Sequence, residues 1–83
     1  MAAKKDEKLK ALQLELRTNT MSQFVELRKA QGMTQNDISV ATGILRPNIS
    51  RMEGGNYNPT LDMIARMAYS IGKKVVISYE DLD

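Results

Sequence analysis

The fold is decided by residues 34–55, which read TQNDISVATGILRPNISRMEGG. Thr34 at the start of this stretch is a favourable helix N-cap, and Asp37 carries the carboxylate that completes a capping box three residues later. Gly43 ends this first helix after barely two turns. A second short helix follows over residues 46–54, with a proline in its first turn, where the missing N–H costs nothing. The pattern predicts a helix-turn-helix unit, in which a tight turn joins two short helices.

Helices are predicted on both sides of this unit. Thr20 and Gln23 form another capping box, which opens a helix that closes at Gly32. After the unit, Thr60 opens a last helix, which Gly72 stops. The residues expected to face inward on these helices and on the second helix of the unit are Phe24, Leu27, Gln31, Ile49, Met52, Leu61, Ile64, Ala68 and Ile71.

A separate amphipathic helix is predicted at the amino-terminal end. Residues 4–17 are rich in strong helix formers, and Leu9, Leu12 and Leu16 lie on one stripe at helical spacing. The Thr-Asn-Thr sequence at 18–20 then interrupts the pattern, so this helix is expected to end before the next one begins. The pattern leaves open where this helix packs.

A β-strand is predicted after the last helix. Residues 73–79 are rich in β-branched side chains, and Val75, Ile77 and Tyr79 alternate with the residues between them. A lone strand in a helical chain leaves its backbone groups unpaired, so it needs a partner. Two antiparallel copies could pair in a homodimer, or the strand could pair with an edge of another protein. These three side chains are therefore expected in a dimer or partner interface.

The fold class that these patterns predict is mainly α, a helix-turn-helix bundle with an extra amino-terminal helix and a carboxy-terminal β-strand. Residues 1–20 form an amino-terminal extension, residues 21–72 the helix-turn-helix domain, and residues 73–83 the strand and an acidic tail. A chain of 83 residues is near the lower limit of what folds alone. Association with a second copy or a partner is therefore expected.

The composition excludes several classes of protein. The chain has no cysteine and no histidine, which removes disulfides, thiolate metal sites and the commonest general base. No nucleophile–base pair and no metal-ligand cluster is visible, so we expect neither an enzyme nor a bound cofactor or metal. There is no long apolar run, so we expect no membrane span, no secretory signal and a cytoplasmic location. The formal net charge of +2 is modest, and a binding module is the class that remains.

Unrelated features occur in a characteristic order through the central part of the chain. They are Leu27-Arg28, Met33-Thr34-Gln35, Gly43, the NISRMEGG sequence of residues 48–55, Asn58-Pro59-Thr60-Leu61 and Ile64-Ala65. This order and spacing resemble the lambda-repressor/Cro-like family, also called XRE-type helix-turn-helix proteins, between Phe24 and Ile71. The resemblance implies a protein that binds duplex DNA by laying the second helix of the unit in the major groove.

The resemblance also implies which residues read the bases. Arg46, Pro47 and Arg51 match the positions that face base edges in the family. Arginine can donate two hydrogen bonds to guanine, and asparagine can pair with adenine, which adds Asn48 to the set. Proline can at most touch a thymine methyl, so most of the reading falls to Arg46.

Four further residues are assigned by the resemblance. Gln35 matches a glutamine that is held at the phosphate backbone and braces the recognition helix. Asn56 follows that helix, where family members often touch phosphates, although a plain turn is the alternative. Arg28 and Glu53 are implied to form an ion pair that links the first core helix to the end of the recognition helix. An unpaired charge would be costly in a partly buried setting.

Three residues of the first helix of the unit depart from the family pattern. Ser39 stands where alanine is usual, and Thr42 stands where an aliphatic residue is usual. Small Ser39 still permits a close helix approach, so the fold is expected to survive with a leaner core. Val40 falls where a polar residue is expected, and it is a candidate for exposed apolar surface.

The end of the chain, residues 58–79, looks like that of HigA-type antitoxins. In that group an amino-terminal extension or the carboxy-terminal strand packs against a ribosome-dependent RNase toxin or against a second copy of the antitoxin. The resemblance implies a repressor that binds a palindromic operator as a homodimer and autoregulates the operon of its toxin. The alternative is a protein-interaction module that neutralises a partner toxin with little DNA affinity, and the modest charge and Pro47 leave it open.

Overall fold

The computed structural model describes residues 2–83, with the side chains from residue 6 onward. The described residues form four helices, which are α1 (Ala2–Ala30), α2 (Gln35–Thr42), α3 (Arg46–Glu53) and α4 (Leu61–Ser70). Helix α2 packs against both α3 and α4, and α1 packs against α3. The expectation of a mainly helical chain is confirmed. Within the part of the chain that is described, no helix combines the length and apolarity needed to span a bilayer.

Helix α1 is one continuous helix of 29 residues, so the expected break at residues 18–20 is wrong. The Thr20 hydroxyl caps nothing. It donates instead to the carbonyl of Leu16, 2.6 Å away and one turn earlier, and this local bond satisfies a hydroxyl inside a helix. Good helix formers lie on both sides of this point, and extending an existing helix is far cheaper than starting a new one. The boundary drawn between residues 20 and 21 therefore falls within α1.

The core is built almost entirely from residues of the helix-turn-helix region. Ile49 and Met52 of α3 are 0% exposed, which confirms their expected inward positions. The buried apolar cluster consists of Met21, Phe24, Ile38, Ile44, Ile49, Met52, Met67 and Ile71. Every member lies between residues 21 and 71. Among the side chains described, those of residues 6–20 and 72–83 contribute no member to this cluster.

The short helices begin and end at the predicted residues. Thr34 accepts a hydrogen bond from the Asp37 backbone N–H, and the Asp37 carboxylate accepts one from the Thr34 N–H at 2.8 Å. The capping box of α2 is therefore complete. Gly43 closes the helix with a φ of 78°, a conformation that disfavours residues with a Cβ atom. Thr60 caps α4 by accepting from the Met63 N–H.

Two leucines that were expected in the core are not buried. Leu61 is 67% exposed and Leu27 is 39% exposed, whereas Met67 of α4 is buried at 1%. Both leucines line an apolar groove of about 450 Å³ between α1, α4 and the segment after α4. Val75 and Ile77 of that segment line the same groove.

The predicted β-strand at residues 73–79 is wrong for the described chain. Val75, Ile77 and Tyr79 lie in a segment without regular secondary structure, and Tyr79 is 97% exposed. The rest of the described chain is mainly helical, and helices satisfy their own backbone groups, so no edge is available to pair with a strand. The segment instead runs back along α1, where Asp83 lies 3.4 Å from the Lys8 ammonium.

Candidate nucleic-acid interface

Helix α3 is fixed by its buried side and presents the remainder of its surface to solvent. Ile49 and Met52 anchor it in the core. Arg46, Pro47 and Arg51 are exposed. No carboxylate among the side chains of residues 6–83 pairs with Arg46 or Arg51, so both guanidinium groups can approach an anionic surface. The candidate interface is therefore a positively charged helix surface on a rigid support.

Arg28 and Glu53 hold the far end of α3 in place. Arg28 is 6% exposed, and its guanidinium donates to both carboxylate oxygens of Glu53, at 2.9 Å from Nε and 2.8 Å from Nη2. The remaining nitrogen, Nη1, donates to the Met33 carbonyl at 2.8 Å. Such bidentate pairs are both strong and directional. This pair joins the end of α1 to the last turn of α3, and the Arg28 guanidinium neutralises the negative charge of Glu53.

Gln35 is the third member of this network. Its side-chain Nε2 donates to Glu53 Oε1 at 3.0 Å, which ties the first turn of α2 to the last turn of α3. An amide nitrogen carries two N–H donors, so one donor is used internally and the second is free for an oxygen acceptor. The geometry is compatible with the expected double role of Gln35, bracing α3 and donating to a phosphate.

Asn48 and Arg51 lie in contact on the surface of α3. The Arg51 Nη1 donates to the side-chain Oδ1 of Asn48 at 3.2 Å. Residues three apart are neighbours on a helix, so this contact follows from their spacing. This contact holds the Asn48 and Arg51 side chains together on the surface of α3.

The loop after α3 is supported from the side by α1, which no sequence pattern predicted. Gly55 has a φ of 77°, and a Cβ atom on it would lie 3.2 Å from the Thr18 hydroxyl. The Arg17 side chain donates to the Gly55 carbonyl at 3.5 Å. Asn56 follows directly and is exposed. The loop is thus held where it continues the surface of α3.

Asp37 has a pKa below its ordinary value, first because the Thr34 N–H donates to its carboxylate and then because of the Thr34 side chain. The charged Asp37 carboxylate therefore serves to cap the start of α2. Among the described residues no group of three carboxylate, imidazole or thiol side chains could hold a metal ion.

Comparisons with known proteins agree with this geometry. A family model described as a helix-turn-helix domain matches residues 3–80. An uncharacterized HTH-type transcriptional regulator from Archaeoglobus fulgidus is 39% identical over 57 residues, which are 69% of this chain and 76% of that protein. Another from Sinorhizobium fredii is 29% identical over 59 residues, which are 71% of this chain and 77% of that protein.

A solved structure is similar over nearly the whole chain. It is described as a toxin-antitoxin module from Streptococcus pneumoniae, and its matching chain is 30% identical, with a TM-score of 0.64. The match covers 92% of the present chain and 81% of that chain.

Proposed function

Because the chain belongs to a helix-turn-helix domain family, we propose that it is a sequence-specific repressor that reads duplex DNA with α3. A DNA-binding role in transcriptional regulation is what the family and its relatives support. The observation that carries the proposal is the surface of α3, where Arg46 and Arg51 are exposed and no carboxylate of residues 6–83 pairs with either, while the helix itself is held by Arg28 and Glu53. Repression then follows from occupation of a promoter.

The contacts divide into two kinds. Arg46 reads guanine by a bidentate contact, with Arg51 and Asn48 beside it. Gln35 and Asn56 donate to phosphates and set the position of the helix on the duplex. Phosphate contacts supply most of the affinity, and the base contacts supply the choice of sequence.

The test is binding to duplexes that the full chain selects from a random pool. The wild type is expected to prefer its selected duplex over random DNA and to bind more weakly as salt rises. Arg46→Ala with Arg51→Ala should abolish the preference. The matched control, Lys10→Ala with Lys74→Ala, removes the same charge away from α3 and should keep it. Equal loss in both double variants would mean that net charge alone drives binding.

The chain binds its operator as a homodimer in this proposal. One unit covers half a site, and two copies placed about 34 Å apart along the duplex read a palindromic operator. The exposed tail side chains Val75, Ile77 and Tyr79 are assigned to contacts with the second copy or another partner. Sedimentation of the isolated chain at micromolar concentration tests this assignment. A chain that is monomeric in solution and forms pairs only on the palindromic duplex would show that the tail makes no dimer contact.

A second candidate function is that of an antitoxin, which the structural neighbour favours. We assign the chain to the lambda-repressor/Cro-like branch, most like HigA-type antitoxins, with an RNase-type toxin as partner and autoregulation of their operon. Leu9 lies about 28 Å along α1 from Arg28, so a partner on the first half of α1 would leave α3 free. The exposed leucines of that half of α1 are Leu9, Leu12, Leu14 and Leu16, and the tail adds the exposed apolar side chains Val76, Tyr79 and Leu82.

The product of the neighbouring reading frame is the means of testing this second function. Its product should copurify with this chain, and coexpression should relieve its growth inhibition. The Arg46→Ala, Arg51→Ala double variant should still capture it, since the reading surface lies elsewhere. A neighbouring product that neither binds nor inhibits growth would leave the repressor without an antitoxin role.

A further inference from the structure

The face of α1 that enters the core begins at Arg17. Met21, Phe24 and Arg28 follow it at intervals of four, three and four residues, so the four side chains lie along one stripe of the helix. The last three are buried, whereas Arg17 is half-buried at the edge of the core. An apolar residue at this position would lengthen the core, so packing of the core does not explain the arginine.

Arg17 contacts the loop that follows α3. Its Nε donates to the Gly55 carbonyl at 3.5 Å, which is longer than the usual N–H···O distance of about 2.7–3.2 Å. The next residue of α1, Thr18, also lies against this loop, since its hydroxyl would be 3.2 Å from a Cβ atom on Gly55. The exposed Asn56 directly follows Gly55 in the chain. Helix α1 therefore places a guanidinium group beside the loop to which a phosphate contact is assigned.

The guanidinium keeps most of its hydrogen-bonding capacity and its charge. It carries five N–H donors, and the contact with Gly55 uses only the one on Nε. No carboxylate among the side chains of residues 6–83 pairs with Arg17. The residues one turn away on the same face of α1 are not acidic either, namely Gln13, Leu14, Thr20 and Met21. The two Nη groups can therefore donate to an anion outside the chain.

We propose that Arg17 donates to a backbone phosphate next to the one that Asn56 contacts. Helix α1 then belongs to the DNA interface, and it widens the contact beyond the helix-turn-helix unit. This inference rests on the proposed function, because it assumes that α3 and the loop after it lie against a duplex. Arg17 contributes affinity and position without reading a base, since phosphates carry no sequence information directly.

The experiment compares salt dependence on a duplex that the full chain has selected from a random pool. Each phosphate contact adds about 0.9 to the slope of log affinity against log salt. A rise from about 50 to about 200 mM salt should therefore weaken the wild type about 3.5-fold more than Arg17→Met, which keeps the stem and loses the charge. Arg17→Lys keeps the charge and should retain the wild-type slope. Both variants should keep the wild-type sequence preference.

Lys10→Met is the matched control. Lys10 is exposed on the same face of α1, seven residues and about 10 Å further from the loop, so its loss should leave the slope unchanged. Circular dichroism melting verifies that the variants fold. Arg17→Gln, which keeps an N–H donor for the loop, replaces Arg17→Met if that variant melts early.

Replacement of single phosphates by neutral methylphosphonates locates the contact. At one position per half-site, the wild type and Arg17→Met should bind equally, because the partner of Arg17 is no longer charged. At every other position the wild type should bind more tightly.

The outcomes separate this inference from the function on which it rests. Failure to select any sequence would overturn the proposed function itself. A selected duplex on which Arg17→Met keeps the wild-type slope would overturn only the phosphate contact. An equal loss of slope in Lys10→Met, or an advantage of the wild type that survives at every methylphosphonate position, would overturn the assignment to Arg17.

Discussion

At the scale of single residues, Glu53 has the most internal contacts of the side chains on α3, because three N–H donors from two residues bond to its carboxylate. Arg28 and Gln35 donate to it, and the side chains of Arg28 and Glu53 are only 8% and 7% exposed. Glu53→Ala leaves the Arg28 charge buried and unpaired, so it should lower the free energy of unfolding by about 3 kcal/mol. Urea denaturation followed by circular dichroism measures this loss.

Lys8→Ala is the control for that prediction. The Lys8–Asp83 pair is solvent-exposed, and exposed ion pairs contribute about 0.5 kcal/mol or less. Its unfolding curve should therefore overlay that of the wild type. A Glu53→Ala protein that unfolds normally but no longer binds DNA would show that Glu53 acts at the interface and not in the fold.

Asp37 gives stability a dependence on pH. Its pKa is lowered in the folded chain, so its charged form favours folding above the ordinary aspartate pKa of about 3.9. The contribution is lost as the pH falls through the lower folded-state value. Asp37→Asn should therefore melt below the wild type at pH 7, and the difference should shrink on acidification. A difference that stays constant down to pH 2 would contradict this.

At the scale of elements, the continuity of α1 can be tested at Thr20. If Thr20 were an N-cap, Thr20→Ala would cost about 1 kcal/mol of stability. Inside a continuous helix alanine is the better residue, so we expect Thr20→Ala to be neutral or stabilising by up to about 0.5 kcal/mol. Thr34→Ala removes a real N-cap and should cost about 1 kcal/mol. Thermal melts of the two variants make the comparison.

The elements differ in how far local sequence determines them. The capping box at Thr34 and the glycine at 43 are local signals, and they predicted α2 correctly. Thr20 carries the same local signal, but its hydroxyl bonds to the Leu16 carbonyl, and extending the helix across this point is cheaper than starting a new one. The prediction of a strand at residues 73–79 was wrong because β pairing requires a second strand edge, which no local sequence pattern supplies.

The candidate site shows the same division. Arg46 and Arg51 could be named from the family pattern, and the i, i+3 spacing of Asn48 and Arg51 was a visible signal for their contact. The support of the Gly55 loop by Arg17 had no signal, because the two residues lie 38 positions apart. Tertiary contacts of this kind depend on the path of α1, which the sequence pattern had broken in two.

At the scale of the whole molecule, the amino-terminal half of α1 should be separable from the folded unit. The buried core lies between residues 21 and 71, while α1 alone is about 43 Å long in a molecule whose greatest extent is 47 Å. Deletion of residues 1–14 should therefore preserve cooperative unfolding and DNA binding by the core. Deletion of residues 1–24 removes Met21 and Phe24 and should abolish both.

Calorimetry and DNA titration of the two truncations test this separation. The shorter deletion removes the Lys8–Asp83 contact between α1 and the tail, so its melting temperature should fall by at most a few degrees without loss of cooperativity. Loss of cooperative melting in the shorter deletion would place the first half of α1 within the folding unit.

The anchoring of α3 through Glu53 has a consequence for how such chains diversify. The groups that fasten the helix, Arg28 and Gln35, contact its last turn through Glu53, whereas the side chains of Arg46, Pro47 and Arg51 are exposed and contribute nothing to the core. After gene duplication, two paralogues can change those few surface codons and recognise different promoters without a loss of folding. Binding of one paralogue to the promoter of the other can then be removed by substitutions at three positions, while selection keeps the residues of the scaffold unchanged.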